Sequence, residues 1–83
     1  MTVSAQISLY PLRQEKLGPA IEAFRLALER QGLEAQVGPM STLVSGDSDR
    51  IFQALRKGFE AAAEGRQVAM VVSVSNACPT RER

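Results

Sequence analysis

The spacing of apolar residues in this chain changes from two to three or four and back, twice over, and that alternation constrains the fold more than any single motif. From Thr2 to Leu12, Val3, Ala5, Ile7 and Leu9 share one parity, with Ser4, Gln6, Ser8 and Tyr10 on the other, the pattern of a half-buried strand. Pro11 lacks a backbone donor and ends the ladder, and Gly18-Pro19 places a proline where the first turn of a helix accepts it. Leu17, Ile21, Phe24 and Leu28 then recur at helical steps, with Glu22, Arg25 and Glu29 elsewhere on the cylinder, and Gly32 supplies a stop. Leu33 to Val37 and Met40 to Ser45 read as short strands around a Gly38-Pro39 turn. Gly46-Asp47-Ser48-Asp49 is a helix start, because a short polar side chain can cap orphan amides and Asp49 suits the positive end of the dipole. The second helix is expected to run to about Glu64, with a core stripe of Ile51, Leu55, Phe59 and Ala62, Phe52 beside it, and Gly58 permitting close packing.

The last strand, Gln67 to Ser75, differs from the first. Val68, Met70, Val72 and Val74 are apolar, and the opposite parity holds Ala69 and Val71 before turning polar at Ser73 and Ser75. Right-handed crossovers applied to the order β-α-β-β-α-β give an α+β fold, the ferredoxin-like plait. Its antiparallel sheet has strand order 4-1-3-2, with both helices on one face. Residues 1–83 form one domain, with an ordered turn after Asn76 and fraying over residues 80–83. The helices cover only one side of the sheet. The other side, carrying Gln6, Ser8, Tyr10 and half of the last strand, implies self-association as a dimer or a pair of dimers.

Composition removes several function classes. Ten basic and nine acidic side chains leave a net charge of +1, without the basic run that phosphate-backbone binding requires. An RNA-recognition domain would carry aromatics on its central strands, and here Tyr10 alone is placed on a strand, at its end. There is no histidine and one cysteine, Cys78, so the usual zinc and copper ligand sets and the Cys-x-x-Cys of metal carriers are missing. No serine has a base to activate it, and no acid and base pair stands out, so the chain is read as non-catalytic and cofactor-free. No apolar stretch approaches the ~20 residues of a membrane span, and the start lacks a charged leader, which gives a cytoplasmic expectation.

The polar residues at strand ends are the binding candidates: Ser8 and Tyr10, Ser41 and Thr42, Asp47, then Ser73, Ser75 and Asn76. Each also has a structural reading: Asp47 as a helix cap, Tyr10 as a wedge at a strand end, Asn76 as a turn former.

Taken together, Ser8-Leu9-Tyr10-Pro11-Leu12, Met40-Ser41-Thr42, Gly46-Asp47 and Ser75-Asn76-Ala77-Cys78-Pro79 stand in the order found in the YkoF-like thiamine-binding proteins, which this chain resembles over essentially its whole length. The resemblance implies a ferredoxin-like fold that assembles through its sheets as homodimers or homotetramers. It also implies binding of thiamine, or of its hydroxymethylpyrimidine moiety, without reaction. YkoF carries two such units in tandem and this chain one, so two subunits would be needed to match it. In that reading Asp47 or Asn76 accepts from the amino group, Ser8, Ser41 and Thr42 bond ring nitrogens, and Tyr10 or Met40 contacts the ring face. The site is then expected at the edge of the last strand, with Ser75 beside it. The competing reading is a regulatory or structural self-assembling module with a different ligand or none.

Overall fold

A computed structural model describes residues 1–13, 16–38 and 41–77. Six elements follow in the expected order: β1 (Thr2–Leu12), α1 (Gly18–Arg30), β2 (Gln36–Val37), β3 (Thr42–Asp47), α2 (Ser48–Ala63) and β4 (Gln67–Ser75). The strands form one antiparallel sheet in the order β2-β3-β1-β4, the ferredoxin-like arrangement. The sheet is open, and β2 and β4 are its edges.

The parity of β1 decides which face is which. Val3, Ala5 and Ile7 are buried beneath the helices, and their partners on β4, Val74 opposite Ala5 and Val72 opposite Ile7, lie on the same face. Phe24, Leu28 and Ala20 of α1 and Ile51, Ala54, Leu55 and Ala62 of α2 close over them, with Leu33 and Val44 completing the core. The helices meet at Gly58, where a β-carbon would stand 2.8 Å from two ring atoms of Phe24. The missing side chain is what admits the Phe24 ring at this crossing.

Gly32 ends α1 as the pattern predicts. It adopts φ +81°, its amide donates to the Glu29 carbonyl, and the Leu33 amide reaches back to Leu28. That turn carries Leu33 into the core, so β2 begins only at Gln36, three residues later than expected. Two helix positions also depart from the expected stripes. Leu17 precedes α1 and is half exposed, and Phe59 is 37% exposed where a core position was expected. Phe59 sits on the flank of α2 away from α1, and the small residues Ala54 and Gly58 take the buried flank instead. Cys78 and residues 80–83 lie outside the described residues.

Candidate functional site

A partly enclosed hollow lies between α1 and the β2–β3 hairpin. Ile7 and Leu9 of β1 form its floor, Ile21 and Phe24 of α1 its roof, and Val37, Gly38, Ser41 and Thr42 its hairpin side. Its enclosed volume is about 90 Å³. At about 30 Å³ of liquid volume per water, that is room for roughly three waters or for the edge of one small ring. Two larger hollows, of about 480 and 590 Å³, are shallow surfaces carrying Arg13 and Arg66 in one and Arg30, Asp47, Asp49 and Arg50 in the other. Their size comes from open solvent, and neither encloses a ligand.

Thr42 decides the chemistry of the cleft. It starts β3 opposite Ile7 and Val37, so its side chain turns toward the helices, and it is 8% exposed, the one buried polar side chain among the described residues. Its hydroxyl has no hydrogen-bond partner among the described residues. A buried hydroxyl left unpaired costs about 1–3 kcal/mol. Among the described residues, Thr42 therefore presents an unsatisfied donor and acceptor in a mostly apolar pocket. Ser41, one residue earlier, is half-buried on the rim and accepts a hydrogen bond from the Gln6 amide at 3.3 Å.

The remaining candidates fall into two places. Ser8 and Tyr10 share the parity of Gln6, on the face of the sheet that the helices leave open, opposite Val71 and Ala69 of β4. Ser8 is half-buried and Tyr10 is 52% exposed. Asp47, Ser75 and Asn76 gather at the far end of the sheet, Asp47 opposite Thr2 and Ser75 opposite Ser4. Six residues of β1 separate Thr2 from Ser8, about 20 Å at ~3.4 Å per residue. A single pyrimidine ring cannot span the two groups within one chain. Met40 lies outside the described residues.

Structural duties account for much of the far group. One Asp47 oxygen accepts from the Asp49 amide at 3.1 Å as the α2 cap, and the other meets the Met1 ammonium at 3.3 Å. The hydrogen bond from the amino terminus, with the Asp49 amide, holds the Asp47 carboxyl below the usual carboxylate range. The Ser75 hydroxyl accepts from the Ala77 amide at 3.0 Å, forming a local turn, and Ser4 and Ser45 pair at 2.9 Å beside it. Asn76 is exposed, its amide 3.9 Å from the Met1 sulfur. Ser73, also exposed, lies across from Gln6 on the open face.

The apolar lining of the cleft was legible only as core. Ile7, Leu9, Ile21 and Phe24 carry the periodicity of buried residues, and nothing in their spacing distinguishes a pocket wall from a packed interior. The adjacent pair Ser41-Thr42 was the available signal, since extended backbone turns neighbouring side chains to opposite sides. Among the described residues, no group of three or more His, Cys, Asp and Glu side chains is placed to hold a metal ion, and no helix is long and apolar enough to cross a membrane.

A sequence model of the YKOF-related family matches residues 2–81. The chain belongs to the YKOF-related family. A search of curated proteins found no significant match. Solved structures share the fold of this YKOF-related chain at low identity. A Streptococcus pneumoniae protein superposes with a TM-score of 0.83 at 23% identity, covering 90% of this chain and 86% of its own. A Bacillus cereus domain of unknown function gives a TM-score of 0.78 at 15% identity, with 90% and 75% covered. A Thermotoga maritima protein provisionally assigned to thiamine biosynthesis or salvage gives 0.78 at 17% identity, with 89% and 82% covered.

Proposed function

We propose that this chain is a non-catalytic binder of thiamine, or of its hydroxymethylpyrimidine moiety, taken up in the cleft beside Thr42 for sequestration, delivery or sensing. The observation that carries the reading is the buried Thr42 hydroxyl, without a hydrogen-bond partner among the described residues, in a mostly apolar cleft. An aminopyrimidine complements it: its ring nitrogens accept and its amino group donates, and its methyl group suits the wall formed by Ile7, Leu9, Ile21 and Phe24. The assignment of the similar Thermotoga maritima protein to thiamine biosynthesis or salvage supports the same ligand class.

The dimensions favour the pyrimidine over the whole vitamin as the buried part. About 90 Å³ admits a ring edge, and the thiazolium of intact thiamine would extend past Ser41 at the mouth. No carboxylate is among the described lining residues, so a cation buried there would have none of them to pair with. In this reading Thr42 bonds the ring and Ser41 orients it at the rim, and Asp47, Ser75 and Asn76, at the far end of the sheet, take no part. The mechanism is reversible capture, with no bond made or broken.

Calorimetric titration with hydroxymethylpyrimidine and with thiamine tests the proposal. Saturable heat with either, the pyrimidine binding at least as tightly as the vitamin, is the expected result. Absence of heat with both, from micromolar to millimolar ligand, would remove the vitamin reading. The open sheet favours one other reading, a self-assembling module without a ligand. Mass spectrometry of a gently denatured preparation separates the two by the small molecule it does or does not release.

A further inference from the structure

Phe24 belongs to two places at once. Its ring is part of the roof of the Thr42 cleft, and it is also the side chain that α2 accommodates at Gly58. Gly58 does not line the cleft, so the ring stands between the cleft and the backbone of α2. A β-carbon at position 58 would meet the Phe24 Cδ1 and Cε1 atoms at 2.8 Å, against about 3.5–4.0 Å for carbons in contact. The ring therefore rests roughly 1 Å nearer to α2 than any other residue at 58 would allow. Position 58 is also the one buried position of α2 without a side chain, in the interior of a 16-residue helix, where glycine is unfavourable.

The packing decides where a displaced ring would go. Leu28 stands 3.7 Å from the same point and is fully buried, as are Ile7 and Ile51, and a close-packed interior has no room for a ring that moves. The hollow that the ring already lines is the cleft, at about 90 Å³ room for roughly three waters, so a shift of about 1 Å by one of its walls is a large part of its depth. Withdrawal of the ring toward Gly58 is what leaves that space open over Ile7.

We propose that Gly58 sets the depth of the cleft through Phe24, and that the room so created holds the methyl group of the pyrimidine, so that the site selects the methylated ring over the same ring without it. Thr42 reads the polar edge of the ligand. Phe24, seated on Gly58, measures its apolar edge together with Ile7, Leu9 and Ile21. Burial of one methyl group favours the methylated ring roughly fourfold.

Two measurements distinguish this size filter from the vitamin reading on which it rests. In the ligand-free protein, Gly58→Ala should drive the Phe24 ring into the cleft, and ring-current changes in the NMR spectrum should then fall on the methyl groups of Ile7, Leu9, Ile21 and Val37. Gly32→Ala, destabilising at the other end of α1, is the control and should leave those methyls in place. Cleft methyls that keep their wild-type shifts in Gly58→Ala would overturn the proposal whatever the cleft binds. Calorimetry then compares hydroxymethylpyrimidine with its analogue lacking the ring methyl. Wild type should favour the methylated ring roughly fourfold. Gly58→Ala should lose that preference, and Gly58→Ala combined with Phe24→Leu, a smaller side chain that makes room for the added carbon, should regain it. A Gly58→Ala protein that retains the wild-type preference would refute the size filter. A wild type that binds neither compound overturns the vitamin reading and with it the methyl pocket, and the ring-current result still decides whether Gly58 sets the depth of the cleft.

Discussion

Replacing Thr42 by Val should make the protein more stable and a worse binder at once. The two side chains have nearly the same shape, so the substitution exchanges an unpaired hydroxyl for a methyl in a site 8% exposed and walled by Ile7, Phe24 and Val37. Removing a buried polar group that lacks a partner recovers part of its ~1–3 kcal/mol desolvation cost, so a gain of about 1–2 kcal/mol is expected in the free protein. For a domain of this size each kcal/mol moves the melting temperature by about 4–8 °C, which makes the gain visible in a thermal scan followed by circular dichroism. Binding should move the other way. Loss of one neutral hydrogen bond to the ring, about 0.5–1.5 kcal/mol, weakens the dissociation constant roughly 2–13-fold. Calorimetry on the same preparation reads that loss. A Thr42→Val protein that melts below wild type would show that the hydroxyl is already satisfied. One that binds hydroxymethylpyrimidine as tightly as wild type would show that the ligand does not use it.

Other positions yield sharper structural expectations. Gly58→Ala should destabilise the fold by about 1–2 kcal/mol by chemical denaturation, because overpacking against Phe24 costs about 1–3 kcal/mol and the helix-propensity gain returns only up to about 1. Gly32→Ala, at φ +81° and with its new carbon 2.8 Å from the Arg50 guanidinium, should lower the midpoint of the same transition. Asp47→Asn keeps a competent helix cap but loses the ion pair with the amino terminus, and should leave binding in the Thr42 cleft unchanged. The Asp47 carboxyl is held below its ordinary range, so its contribution is present above the unfolded-state value and disappears as pH falls through the lower folded-state value. The difference in melting temperature between wild type and Asp47→Asn should accordingly be seen at neutral pH and vanish in strong acid.

These positions also show what a linear reading could and could not find. The parity of β1 and the two helix stripes were enough to place six elements and their order, because periodicity records which side of each element is buried. They could not say which flank of α2 would be covered. Phe59 follows Leu55 at a helical step and belongs to the stripe by spacing, yet α1 packs on the opposite flank and leaves Phe59 exposed. The same limit applies to the site. Ser8, Ser41 and Thr42 were recognisable as strand-end polar residues, but the alternation of β3 sends Thr42 into the helix layer and Ser41 to the rim. Asp47, Ser75 and Asn76 were grouped with them by chemistry. The antiparallel register puts that group at the other end of the sheet, a separation that spacing along the chain does not encode. That Thr42 is without a partner among the described residues is a property of its surroundings, and only the packed fold exposes it.

The most direct test of the account is where the ligand lands. Chemical-shift changes on titrating isotope-labelled protein with hydroxymethylpyrimidine should concentrate on the amides and methyls of Ile7, Leu9, Ile21, Val37, Gly38, Ser41 and Thr42. Changes confined to Asp47, Ser75 and Asn76, with the Thr42 cleft silent, would contradict it.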